Sequence, residues 1–298
     1  MPEGDTIFRA ARTLEKVLAG QVVTEARSSV PAVPAARLSG RTVERVEARG
    51  KNLLIHFDDG LALHTHMRMT GSWHVYRPGE RWQKPERLAR VVLATERFVA
   101  VCFNAPVVAL LSAAELVRHP SLSRLGPDPL SRAFDPAEAR RRLRELGDRP
   151  VGDALLRQSA LAGVGNIYKS ESLFLSATNP FRLVRDLTDP ELDRLVAKAR
   201  QLLSENVGAG PRATRPSLTR ERTWVYRRNG KPCRRCGTEI RMRRQGAEAR
   251  STYWCGKCQP EGASCAEAST STSGGSRTPK PPSAGPGKSP ARARSPRS

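Results

Sequence analysis

Aromatic residues make up only 5% of the 298 positions, cysteine occurs six times, and acids are outnumbered, 29 against 51 Lys and Arg. Each scarcity excludes something. No stretch approaches the roughly 18–20 apolar residues that a membrane-spanning helix needs. The start, Met1-Pro-Glu-Gly-Asp, has an acid where a secretory signal has its cationic region, so a cytoplasmic protein is expected. Six cysteines over this length are too few for a disulfide framework. What is present is a chain long enough for about two domains, 38% hydrophobic, with a formal charge of +22. Its cations are 42 Arg and nine Lys, and the guanidinium grips phosphate in bidentate fashion without ever deprotonating.

Composition divides the chain. From Glu261 onward Ser, Pro, Gly, Thr and Ala dominate, a mixture that cannot bury enough apolar surface to order itself. Residues 261–298 are therefore expected to be a disordered basic tail, net +4 from six cations less Glu261 and Glu267. The opening segment predicts an amphipathic helix capped by Gly4 or Asp5, with Ile7, Ala10, Ala11, Leu14, Val17 and Leu18 on one face. Short runs then predict strands at Asn52–Phe57, Leu61–His66, Trp73–Tyr76, Arg90–Leu93 and Phe98–Phe103. Helical patterning follows at Ala137–Leu146, Gly152–Gln158, Ile167–Leu175 and Pro190–Val207, with Leu125-Gly-Pro-Asp-Pro-Leu130 as a candidate hinge. The reading is an α+β multidomain chain: residues 1–130 a helix plus β-sandwich, 131–222 helical, and 223–260 a small cysteine-bearing module.

That module holds Cys233-Arg-Arg-Cys236 and Cys255-Gly-Lys-Cys258, 18 residues apart. Two such knuckles give four thiolates to a tetrahedral Zn2+, which leaves no open position for water, so one structural ion is expected. Between them, two β-prone arms flank a turn at Gln245-Gly246, and its arginines should project away from the metal. Residues 211–260 contain 14 cations against three acids. Cys102 and Cys265 receive no role.

Two further segments bear chemistry. Gly163 and Gly165 directly precede Asn166 and a helix, where a glycine turn and a helix N-terminus could cradle a phosphate while Asn166 and Lys169 donate to it. Pro2, exposed if Met1 is removed, presents a secondary amine partly neutral near pH 7, able to attack an electrophilic carbon. Glu3 beside it can act as acid or base.

Met-Pro-Glu-Gly, the helix after it, Arg49-Gly-Lys51-Asn, Ala162-Gly-Val-Gly-Asn166 and the four cysteines occur in an order that resembles the formamidopyrimidine-DNA glycosylase / endonuclease VIII family over residues 1–260. The resemblance implies an N-terminal β-sandwich, a helix-two-turn-helix domain and a zinc finger, with damaged double-stranded DNA in a basic cleft and a bacterial monomer acting on it. It implies a bifunctional glycosylase and abasic-site lyase in which Pro2 attacks C1′ of an extruded nucleotide and Glu3 transfers protons. Lys51, Asn166 and Arg250 would pinch the backbone, with Lys169 and His66 further candidates. His64 shares the His66 face if that run is a strand. Met69 would fill the gap left by the extruded base, with Arg68 and Thr70 as alternatives. The chain lacks the Arg-Phe pair of the purine-lesion branch at Cys102-Phe-Asn-Ala-Pro106, and Asn206–Tyr226 is short for a purine-capping loop. Both favour the endonuclease VIII type and oxidised pyrimidines. The alternatives are oxidised purines, or a non-catalytic zinc protein that only binds damaged DNA. Thr6 stands where the family commonly has another acid.

Overall fold

The computed structural model describes residues 2–216 and 221–261; almost all of the expected tail, with Cys265, lies outside them. Helix α1 (Gly4–Leu18) forms because Ile7, Ala11, Leu14 and Leu18 recur at three- and four-residue spacing and are all buried. Its cap is Glu3, not Gly4 or Asp5, and the Glu3 side chain makes no capping bond to its own helix. That carboxylate is engaged elsewhere, as described below.

Two antiparallel four-stranded sheets follow. One runs in the order β1 (Glu25–Ser28), β6 (Ala89–Ala94), β7 (Val99–Phe103), β5 (Ser72–Tyr76). The other runs β2 (Val43–Arg49), β3 (Asn52–Phe57), β4 (Ala62–His66), β8 (Val107–Leu111). Leu53, Ile55 and Phe57 pack with Leu63, Met67, Val91, Leu93, Ala100 and α1 in a single core. Strand β3 is buried on both faces, which explains its unbroken apolar run. Its outer residue Leu54 packs with Leu111 and Leu122 beside the short helices α2 (Ala113–Arg118) and α3 (Pro120–Ser123).

The helical part comprises α4 (Pro136–Arg144), α5 (Val151–Ala154), α6 (Asn166–Leu175) and α7 (Asp189–Glu205) around its own core of Leu143, Leu161, Tyr168, Leu195 and Leu202. Start signals are explicit in the sequence: Asp135 caps α4 with Pro136 at its first position, and Thr188 with Glu191 forms a capping box on α7. α5 ends at Ala154, well short of the expected Gln158. The candidate hinge is bonded on both sides, through Gly126 N to Gln158 O (2.9 Å) and Asp128 Oδ2 from Gly50 N (2.7 Å).

The last unit is a hairpin, β9 (Ile240–Gln245) and β10 (Arg250–Cys255), whose loop is residues 246–249. Phe174 of α6 enters its small core with Val225 and Ile240. Among the described residues no helix is long and apolar enough to cross a membrane.

Candidate functional site

The N-terminus of α6 is the organising point. Gly163 adopts φ +82° and its carbonyl accepts from Gly4 N at 2.9 Å, drawing the start of α1 against the start of α6. The Glu3 carboxylate then accepts from Gly165 N (3.0 Å), Ile167 N (2.8 Å) and Tyr168 N (3.3 Å). A Cβ at 165 would lie 2.4 Å from Glu3 Cδ, so any larger residue there would push the carboxylate out of this position. The sequence predicted that this turn receives a phosphate; its amides instead hold the chain's own carboxylate. Burial pushes the Glu3 carboxyl above its usual range, opposed by the Lys51 and Arg212 charges and by the amides of Ile167 and Tyr168. Half-buried Pro2 immediately precedes it.

Lys51 sits on the two-residue turn between β2 and β3, made possible by Gly50 at φ +60°. Asp128 holds this turn through Gly50 N, and Asn52 bridges it by donating to Arg49 O (3.1 Å) while pairing with His64 Nε2 (2.9 Å). Burial lowers the Lys51 ammonium, Glu3 and Glu248 counteract this, and Arg250 reinforces it. N-terminus, turn and finger thus share one electrostatic field.

The two histidines on β4 separate clearly. His64 is 1% exposed, bonded to Asn52 and edge-on to His119, and burial pulls it down to about 4. His66 lies opposite Asn52 and is only half-buried, lowered by burial and by the Lys51 and Arg68 charges. Beyond it Arg68 takes φ +43°, Met69 is 62% exposed, and Thr70 Oγ1 donates to Asn104 O at 3.0 Å.

Asn166 and Lys169 both turn toward the finger. Asn166 Nδ2 donates to Ser251 O (2.7 Å), and Lys169 Nζ reaches Ser251 O (3.2 Å) and Thr252 Oγ1 (2.7 Å). Lys169 has no exposed surface, so the expected phosphate donor is an interior residue, placed there by the close packing of α6 on β10. Arg250, next to Ser251, is partly exposed and bonds Glu248 at 2.6 and 2.9 Å. Arg241, Arg243 and Arg244 are exposed, but they do not all project away from the cysteines as the sequence suggested: the Arg241 guanidinium lies beside Gly256 of the second knuckle, and Arg243 folds back over Phe181 at 3.7 Å from the ring centre.

Three acids hold contacts that the sequence did not reveal: Asp5 and Glu171 are fully buried, and Asp128 is half-buried. Asp5 pairs with Arg212; Asp128 holds the Lys51 turn; Glu171 accepts from the backbone of Trp224, Val225 and Tyr226, fixing the approach to the finger. Asp5 was legible only as a helix-capping residue. Beside local contacts such as Leu130 N to Asp128 and Arg9 to Asp5, each acid has a partner more than fifty positions away, and for that contact local pattern gives no signal.

The four Sγ atoms of Cys233, Cys236, Cys255 and Cys258 lie within 4.8 Å of one another, with Cys233–Cys258 at 3.9 Å and Cys236–Cys255 at 3.5 Å. A tetrahedron of Zn–S bonds of about 2.3 Å has edges of about 3.8 Å, so the cluster fits zinc.

The N-terminal domain model of formamidopyrimidine-DNA glycosylase matches residues 1–106, its H2TH domain model residues 125–217, and the zinc finger model found in FPG and IleRS residues 230–260. A "Probable endonuclease 8 2" of Streptomyces coelicolor is 43% identical over 262 residues, covering 87% of this chain and 94% of the relative. A "DNA-(apurinic or apyrimidinic site) lyase Nei2" of Mycolicibacterium smegmatis is 37% identical, covering 87% and 99%. The MutM (Fpg) protein of Thermus thermophilus superposes with a TM-score of 0.73 at 33% identity, over 88% of this chain and all of that one. A Lactococcus lactis Fpg bound to abasic-site DNA shares the fold, with a TM-score of 0.73 at 23% identity over 87% of this chain and 100% of that one. Likeness of this extent, in sequence and in architecture, has one meaning: the chain belongs to the formamidopyrimidine-DNA glycosylase / endonuclease VIII family.

Proposed function

We propose that this chain is a bifunctional DNA glycosylase and abasic-site lyase of base excision repair, acting on damaged duplex DNA with a preference for oxidised pyrimidines. The observation that carries the reading is Glu3: a buried carboxylate in an amide cradle, directly after Pro2 and within the field of Lys51. Burial favours its protonated form, as a proton donor beside a nucleophile requires.

With Met1 removed, the neutral Pro2 nitrogen attacks C1′ of the extruded nucleotide. The C1′–base bond breaks and its electron pair leaves with the base, which takes up the proton that the Pro2 nitrogen sheds on bonding to C1′. Glu3 gives its proton to the ring oxygen, the ring opens, and an iminium joins Pro2 to C1′. Loss of a C2′ proton then supplies the electrons that expel the 3′ phosphate, and water releases the sugar fragment from Pro2. Lys51, Asn166 and Arg250 hold the backbone around the lesion, Arg250 breaking its Glu248 pair to do so. Lys169 acts behind them as an interior support, His66 flanks Lys51, and exposed Met69 fills the vacated stack, with Arg68 and Thr70 framing it. Cys233, Cys236, Cys255 and Cys258 hold a single structural zinc ion, which ties the two knuckles together; the reacting groups are the chain's own.

Borohydride reduction of the enzyme with an oligonucleotide containing thymine glycol or an abasic site should give a covalent adduct at Pro2. An N-terminally extended chain should give none. No adduct from the wild type on any of thymine glycol, dihydrouracil, uracil, oxidised guanine or an abasic site, with binding retained, would leave a non-catalytic DNA-binding zinc protein. Stronger excision of oxidised guanine than of thymine glycol would overturn the pyrimidine preference.

A further inference from the structure

Among the charged groups around Glu3, Asp5 and Arg212 have no part in the chemistry above, yet the fold goes to some length to join them. Asp5 is fully buried in the first turn of α1. Arg212 lies about two hundred residues further on and forks onto it, Nε to Oδ2 at 2.8 Å and Nη2 to Oδ1 at 2.5 Å, with Nη2 also reaching Thr6 Oγ1 at 2.7 Å. The guanidinium carbon sits 5.3 Å from the centre of the Tyr168 ring, and it is the Tyr168 amide that donates to Glu3 Oε2.

The segment bearing Arg212 is itself tied down. Asn206 clasps Ala213 through both amide atoms, at 2.7 and 2.8 Å, Arg9 donates to Gly210 O at 2.6 Å, and Thr214 donates to the buried Glu171 carboxylate. A planar fork locked by a carboxylate and a ring, on a pinned segment, is a charge with little freedom to move.

We propose that the Asp5–Arg212 pair is a positioning device for Glu3, which holds one cation at a fixed place beside the carboxylate cradle and thereby sets how readily Glu3 releases its proton. The inference rests on the glycosylase reading given above.

The charged groups facing Glu3 come from four elements: Lys51 on the β2–β3 turn, Arg212 on the pinned segment, Asp5 on α1 as the counter-charge of Arg212, and Lys169 on α6. Lys51 and Arg212 are the two cations that favour the ionised carboxylate. A phosphate arriving at Lys51 offsets much of that charge. Arg212, already paired with Asp5 and largely covered, is the one whose influence persists when DNA binds. The device also fits the departure at Thr6, where the hydroxyl accepts the second Nη2 contact and an acid would add a second negative charge.

The test is a 13C titration of the Glu3 carboxyl in the full chain, assigned by its absence in E3Q, for wild type, R212M, R212K and D5N. R212M should raise the Glu3 midpoint by ~0.5 pH unit or more, since a favouring cation is gone. D5N should lower it, because Arg212 then acts without its counter-charge, and R212K should stay near wild type. The Glu3 limb of the pH–rate profile for thymine glycol excision should move in the same directions. A merely structural pair would give reduced melting temperatures without opposed shifts. Should R212M fail to fold, the D5N/R212M double variant, which leaves no buried unpaired acid, is read against D5N and should return the midpoint upward. Midpoints that coincide with wild type, or move together in one direction, overturn the inference. A wild type that cleaves no substrate overturns the glycosylase reading instead, and the titration distinguishes the two failures.

Discussion

Lysines with no exposed surface are uncommon, because an ammonium loses its hydration on burial and recovers it only through acceptors. Lys169 has two, Ser251 O and Thr252 Oγ1, and burial lowers it to about 7, with Asp153 and Glu3 resisting the shift. Between about pH 7 and 10.5 the unfolded chain therefore binds more protons at this position than the folded one, so stability rises with pH across that window. Relative to K169M, the wild type should gain up to ~1.4 kcal/mol per pH unit there and show no difference in slope below about pH 6, read by thermal or denaturant melts. Parallel curves across the window would place the lysine's proton outside the linkage. Local pattern assigns Lys169 the wrong neighbour for an intelligible reason. A cation after a glycine turn is a reasonable phosphate donor locally, and only the packing of β10 against α6 turns it inward. Gly165, by contrast, was legible as a position of close approach, although the group that approaches it is Glu3.

At the scale of elements, α6 links the site. Its first-turn amides hold Glu3, its side chains Asn166 and Lys169 hold β10, Glu171 holds the segment at 224–226, and Phe174 enters the finger's core. Removing zinc should therefore be felt at the DNA contacts: the two knuckles lose their common centre, and the hairpin that presents Arg250 loses its base. Chelation should lower affinity for lesion-bearing duplex at least ~10-fold by fluorescence anisotropy, and re-addition of zinc should restore it. Unchanged affinity in metal-free protein would show that the hairpin is held by α6 alone. The strands rich in Val, Ile, Leu and Phe, such as β3 and β7, were legible from sequence. β2, which reads Val-Glu-Arg-Val-Glu-Ala-Arg, was not, because its strand character comes from pairing with β3 and from α1 packed on it rather than from its composition.

For the molecule as a whole, the formal +22 acquires a location. Fourteen cations fall in residues 211–260, and thirteen of them are among the described residues of the finger and the segment that leads to it. If six or so of the protein's cations displace counterions from the duplex, the logarithm of affinity should fall against that of salt with a slope of about −5. A chain ending at Glu261 should show weaker binding to undamaged DNA and unchanged cleavage at a lesion, by gel-based nicking assays. Loss of cleavage on truncation would give the last 37 residues a catalytic part. By itself the sequence determined the family, the order of its parts and the four-cysteine cluster, because each is written in a few adjacent or regularly spaced residues. Tertiary structure alone decided that the α6 amides face Glu3, that Lys169 lies inside, and that Asp5 meets Arg212. Those contacts join residues tens to hundreds of positions apart, and their strength comes from burial, which no local pattern encodes.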